Sequence, residues 1–128
     1  MKNADIVIIE DDPNIRQAMR SLLSHNGHTV THEASSLPRA IMALDLIVAG
    51  EVKCDLITLD GNLNSNGSQD GYDARRILDE VRKYGLGVRV IGFSGSGLPV
   101  SEAEYSSVID FDVIKPEFDQ LSAAIEAL

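Results

Sequence analysis

Short runs in which every position is apolar alternate along this chain with longer stretches whose apolar residues recur every three or four positions. The runs read as strands buried on both faces, and the periodic stretches as helices laid over them. Ile6, Val7, Ile8 and Ile9 form the first run. Asp12 then supplies a helix N-cap with Pro13 at the first helical position, and Ile15, Ala18, Met19, Leu22 and Leu23 share one face before Gly27 closes the helix. Thr29 to Ala34 is more polar and predicts an edge strand. Ser36 and Pro38 open a second helix with Leu37, Ala40, Ile41, Leu44, Ile47 and Val48 on its apolar stripe, stopped by Gly50.

Leu56, Ile57, Thr58 and Leu59 give another buried strand, ending at Asp60. A long polar stretch over 61–69 follows. Asp70 is expected to cap the next helix, with Asp73 three residues on and Ala74, Ile77, Leu78 and Val81 facing inward. A fourth strand spans 88–93 and leads into the turn residues Ser94, Gly95, Ser96 and Gly97. The segment 99–107 is a weak helix with Val100, Ala103 and Tyr105 to bury. A short fifth strand covers 111–114. Phe118, Leu121, Ala124, Ile125 and Leu128 then give a last amphipathic helix.

Five strand–helix units in this order predict an α/β fold: a doubly wound, five-stranded parallel sheet of order 2-1-3-4-5 with helices on both faces. The 128 residues are the length of one domain, and 44% of them are apolar, enough for one core. Charged residues break every apolar run well short of a membrane span, and the first residues are too acidic and too short for a secretory signal core. A cytoplasmic protein that does not enter a membrane is expected. With 20 Asp plus Glu against 11 Lys plus Arg, the net charge of −9 repels phosphate backbones and argues against nucleic-acid binding by this domain. Cys54 has no second cysteine to pair with and reads as a small core residue. His25, His28 and His32 are close in sequence but not placed to share a metal. The glycines between 92 and 97 lack the spacing and position of a dinucleotide fingerprint.

In such a fold, ligands bind at the carboxyl ends of the strands. The residues there are Glu10, Asp11 and Asp12 after the first strand, Asp60 after the third, Ser94 after the fourth and Lys115 after the fifth. Taken singly, Asp12 reads as a cap, Asp60 and Ser94 as loop residues, and Lys115 as a surface charge. Together, carboxylates packed at one edge repel one another unless a cation or proton is shared, and oxygen donors of this kind suit Mg²⁺. Phosphoryl transfer to a carboxylate needs such a set. Asp60, after the most central strand, is the expected nucleophile; Asp11 binds the metal, Glu10 reaches it directly or through water, Ser94 donates a hydroxyl and Lys115 a point charge.

On these motifs the chain resembles the receiver domain of two-component response regulators. The resemblance runs over residues 1–128 and is carried by Glu10-Asp11-Asp12-Pro13-Asn14-Ile15-Arg16 after the first strand, by Asp60, by Ser94-Gly95, and by Lys115-Pro116. It implies that Glu10 and Asp11 are the acidic pair, Asp60 the phosphoacceptor, Ser94 the hydroxyl position and Lys115 the family lysine. It further implies that the backbone carbonyl of Asn62 completes the metal site and that Lys115-Pro116 is cis. The implied partners are a sensor histidine kinase or histidine phosphotransfer protein as donor, in a Mg²⁺-dependent phosphorelay with slow self-dephosphorylation. A downstream protein or a fused output domain would read a switch on the surface of segment 99–107, the fifth strand and the last helix.

The sequence departs from the family pattern at three places. Asp112 stands where receivers usually carry Tyr or Phe, the nearest aromatic being Phe111. The loop after Asp60 is longer than usual and has Asn64 where proline is common. Gly95 replaces the frequent alanine. Two alternatives follow from these residues. A pseudo-receiver would bind partners without phosphorylation, which Asp112 favours and the complete acidic and basic set opposes. A small aspartate-nucleophile phosphatase would need a second acid two residues beyond Asp60, where Asn62 stands. The expected chemistry is therefore that of a signalling phosphoacceptor rather than an enzyme acting on other substrates.

Overall fold

Alternation along each inner strand divides the core in two. In β1 (Asp5–Ile9), Ile6 and Ile8 point to one face of the sheet and Val7 and Ile9 to the other, all four being fully buried. The computed structural model describes residues 1–60, 63, 72–95, 105 and 107–128. Its strands are β1, β2 (Thr29–Ala34), β3 (Leu56–Leu59), β4 (Arg89–Ser94) and β5 (Phe111–Ile114). They pair in parallel in the order β2-β1-β3-β4-β5, as the sequence predicts. The described helices are α1 (Pro13–His25), α2 (Leu37–Val48), α3 (Tyr72–Tyr84) and α4 (Phe118–Ala127). Among the described residues no helix is long and apolar enough to cross a membrane.

One core lies between the sheet and the helices α1 and α4, where Met19, Leu23, Leu121 and Ile125 meet Ile6, Ile8, Ile91 and Phe93. The other lies under α2 and α3, where Ala40, Ala43, Leu44, Ile77 and Leu78 meet Val7, Ile9, Ile57 and Leu59. The expected caps hold. Asp12 accepts from the backbone N–H of Asn14 and Ile15, and Ser36 from that of Arg39. Gly27 and Gly50 stop α1 and α2 with φ of +86° and +76°, a conformation that disfavours a side chain.

Four expectations need correction. Ala18 and Val48 are exposed, because the buried stripes of α1 and α2 centre on Met19 and Leu23 and on Ala40, Ala43 and Leu44, which leaves those two residues on the flanks. Strand β4 begins at Arg89 and includes Ser94 as its last residue. Asp73 does not close a capping box. Its buried carboxylate accepts the N–H of Leu63 at 3.0 Å, because its position on α3 faces the core. Asp70 itself, like Asn62, Asn64 and most of the loop 61–69, lies outside the described residues.

The segment 99–107 also lies largely outside them. Its Tyr105 is buried, donates its hydroxyl to Asp79 Oδ1 at 2.9 Å, and has the Arg82 guanidinium 5.0 Å from its ring centre. Cys54 is partly buried with its thiol pushed up to about 12 by burial, which keeps it protonated. His28 is buried, and its Nδ1 accepts the N–H of Ala4 at 3.0 Å, a structural role.

Candidate functional site

Parallel pairing in register brings the carboxyl ends of the strands to one edge, with Ile9 opposite Leu59 and Leu59 opposite Gly92. Backbone bonds carry the alignment one residue further. Asp60 N donates to Ile9 O at 2.9 Å, Glu10 N to Ala34 O at 2.9 Å and Lys115 N to Ser94 O at 2.8 Å. Residues from three separate strand ends, Glu10, Asp60 and Lys115, therefore leave the sheet side by side.

Glu10, Asp11 and Asp60 each place a carboxylate oxygen within 4.8 Å of the others. Glu10 is 1% exposed and Asp60 6%, so these are carboxylates drawn out of water. Lys115 Nζ lies 2.5 Å from Glu10 Oε1 and 3.4 Å from Asp60 Oδ2. The other oxygen of Glu10 accepts the N–H of Asp12 at 3.1 Å. Both of its oxygens are thus engaged, whereas Asp12 serves as the helix cap. The Lys115-Pro116 bond is cis.

The electrostatics follow from this crowding. Burial, then the Glu10 charge and the hydrogen bond with Asp11, push the Asp60 carboxyl up to about 8 against the pull of Lys115. Burial also raises Glu10, opposed by its bond to Lys115. Three carboxylates and one ammonium leave an excess of negative charge that a proton or a cation must offset.

Ser94 is buried, and its Oγ has no hydrogen-bond partner among the described residues. A buried hydroxyl left unpaired is destabilising. Beside it, a Cβ added at Gly95 would meet nothing within 4 Å, so glycine leaves space there. Asp112 is exposed and sits opposite Gly92, while Phe111 sits opposite Ile91 and is 39% exposed.

Two residues escaped the sequence reading. Arg16 Nη1 donates to the carbonyls of Glu10 at 2.9 Å and Asp11 at 3.1 Å. Asp73 holds the backbone three residues beyond Asp60. The arginine six positions after Glu10 was visible in the motif, but nothing in its spacing told that it would turn back onto that loop.

The sequence model of the response regulator receiver domain matches residues 6–126. The chain belongs to this family. Solved structures agree in fold. A two-component response regulator of the LuxR family from Aurantimonas sp. SI85-9A1 is 22% identical, with a TM-score of 0.72 over 98% of this chain and 84% of that one. The signal receiver domain of a Luxo repressor protein from Vibrio parahaemolyticus is 16% identical, with a TM-score of 0.74 over 99% and 89%. CheY6 of R. sphaeroides, solved in complex with the P1 domain of CheA3, is represented by a structure 18% identical, with a TM-score of 0.69 over 100% and 98%. A comparison with curated protein sequences gives no match. This receiver domain is a signalling module with the flavodoxin-like sheet order of its family.

Proposed function

We propose that this receiver domain accepts a phosphoryl group on Asp60 from a phosphohistidine donor, with Mg²⁺ bound beside it, and hydrolyses the product slowly. The observation that carries this reading is the buried convergence of Glu10, Asp11 and Asp60 within 4.8 Å, with the Lys115 ammonium against two of them. The donor set fits the metal: it is all oxygen, hard and anionic, and one or two carboxylates suffice for an ion that keeps its waters. Asp11 and Asp60 would hold it directly and Glu10 through water, since both Glu10 oxygens are already engaged. The backbone carbonyl of Asn62 is the further ligand that the family pattern offers. When bound, Mg²⁺ neutralises charge on the phosphoryl oxygens and favours the ionised form of Asp60.

Asp60 attacks in line. An Asp60 carboxylate oxygen forms a bond to phosphorus as the P–N bond of the donor breaks, and the electron pair returns to the imidazole nitrogen, which takes up a proton. Lys115 exchanges its contact with Asp60 for one with a phosphoryl oxygen, and the Ser94 hydroxyl gains an acceptor for its unused proton. Hydrolysis adds water to phosphorus, breaks the P–O bond to Asp60 and returns the carboxylate and inorganic phosphate. The complex of CheY6 with a CheA3 P1 domain suggests a donor of that kind for this chain. A partner protein or fused output domain would read the product. With Asp112 at the usual aromatic position, that readout does not use an aromatic side chain there.

Intact-mass spectrometry after incubation with acetyl phosphate and Mg²⁺ tests the proposal beside Asp60→Asn. A phosphoryl adduct on the wild type alone is expected. An adduct on the variant would mean that another residue is the acceptor. No adduct on either, with beryllium fluoride also failing to bind, would leave the pseudo-receiver reading that Asp112 favours.

A further inference from the structure

We propose that Arg16 is a positioning residue for the acidic end of this site, setting the backbone of Glu10 and Asp11 for Mg²⁺. The inference rests on the metal reading above. A single nitrogen, Nη1, bridges the carbonyls of Glu10 and Asp11 at 2.9 and 3.1 Å. On the other side of the guanidinium, Nε lies 3.6 Å from Glu33 Oε1 on the edge strand β2. The Arg16 side chain is only 20% exposed, so it is held rather than waving in solvent.

These bonds go to the backbone of the turn between β1 and α1. That turn has to carry three consecutive acids, and their mutual repulsion works to spread it. A rigid, planar donor fork can span two successive carbonyls and a carboxylate at once, which a lysine ammonium on a flexible stem does not reproduce. Outer partners that orient ligands in this way commonly govern metal affinity by tenfold or more.

The sign of the effect separates positioning from charge. A cation close to a Mg²⁺ site repels the metal, so by charge alone its removal would tighten binding. Loss of positioning weakens binding instead. The experiment is an amide NMR titration with Mg²⁺ alone, below the melting temperature, on wild type, Arg16→Met, Arg16→Lys and Arg20→Met. The same spectra report whether each variant is folded. Arg20 also faces Glu33, at 3.4 Å, and has no bond to the two carbonyls.

The expected result is a dissociation constant about tenfold or more weaker for both Arg16 variants, with Arg20→Met close to wild type. Wild-type affinity in Arg16→Lys would show that charge suffices and would overturn the proposal. So would unchanged or tighter binding in Arg16→Met, or equal weakening in Arg20→Met. Absence of binding by the wild type itself would remove the metal reading together with this inference, and it is told apart because it appears without any substitution.

Discussion

The ammonium of Lys115 lies closer to Glu10, at 2.5 Å, than to the expected acceptor Asp60, at 3.4 Å. The lysine thus compensates the most deeply buried carboxylate of the cluster, and its second contact is the one that phosphorylation would replace. Removing it would leave the buried Glu10 carboxylate without its ammonium partner.

Lys115→Met is accordingly expected to destabilise the fold by about 3 kcal/mol at neutral pH, the usual effect of breaking a buried pair on one side. Calorimetric melting should show the deficit shrink as pH falls and the raised carboxyls of Glu10 and Asp60 take up protons, and shrink again in millimolar Mg²⁺. A variant that melts like the wild type at neutral pH would contradict the pairing.

Asp60 gives a pH dependence with a defined sign. Its carboxyl is raised in the folded protein from the ordinary 3.8 to about 8, so the folded state holds the proton more tightly than the unfolded chain. That stabilisation is full below about pH 4 and is lost as pH rises through about 8. With metal chelated, the melting temperature should fall between pH 5 and 9, and Asp60→Asn should flatten most of the fall and be the more stable protein at pH 8. Mg²⁺ binding near neutral pH should release a proton, measurable by calorimetry in buffers of different ionisation enthalpy.

Ser94→Ala separates stability from chemistry. The Oγ has no partner among the described residues, so deleting it should leave the melting temperature unchanged or raise it by the equivalent of roughly 1 kcal/mol. Acetyl phosphate labelling followed by mass spectrometry should nonetheless show slower phosphoryl turnover. Wild-type labelling and decay would remove Ser94 from the site.

Asp73 tests the anchor of the loop beyond Asp60. Asp73→Ala leaves the buried N–H of Leu63 unpaired and should lower stability by about 1–3 kcal/mol, whereas Asp73→Asn keeps an acceptor oxygen and should restore most of it. Chemical denaturation of the two variants decides this. Equal loss in both would mean that the carboxylate charge, not the acceptor, is needed.

Which features could be read from the chain follows from their physical range. The unbroken apolar runs of β1 and β3 and the caps at Asp12 and Ser36 depend on neighbours one to four residues away, and those elements stand where the sequence puts them. Sheet order was legible too, because right-handed crossovers leave few ways to connect such units. Strand ends then named Glu10, Asp11, Asp60, Ser94 and Lys115 as neighbours. What the sequence alone determined is therefore the fold and the inventory of charged groups at one edge. Tertiary structure decided how they share their bonds: that Lys115 favours Glu10, that Asp60 is pushed up by its surroundings, and that Arg16 and Asp73 hold the flanking backbone. Those outcomes depend on burial and on differences of about an ångström between side chains from separate elements, and no periodicity along the chain encodes them.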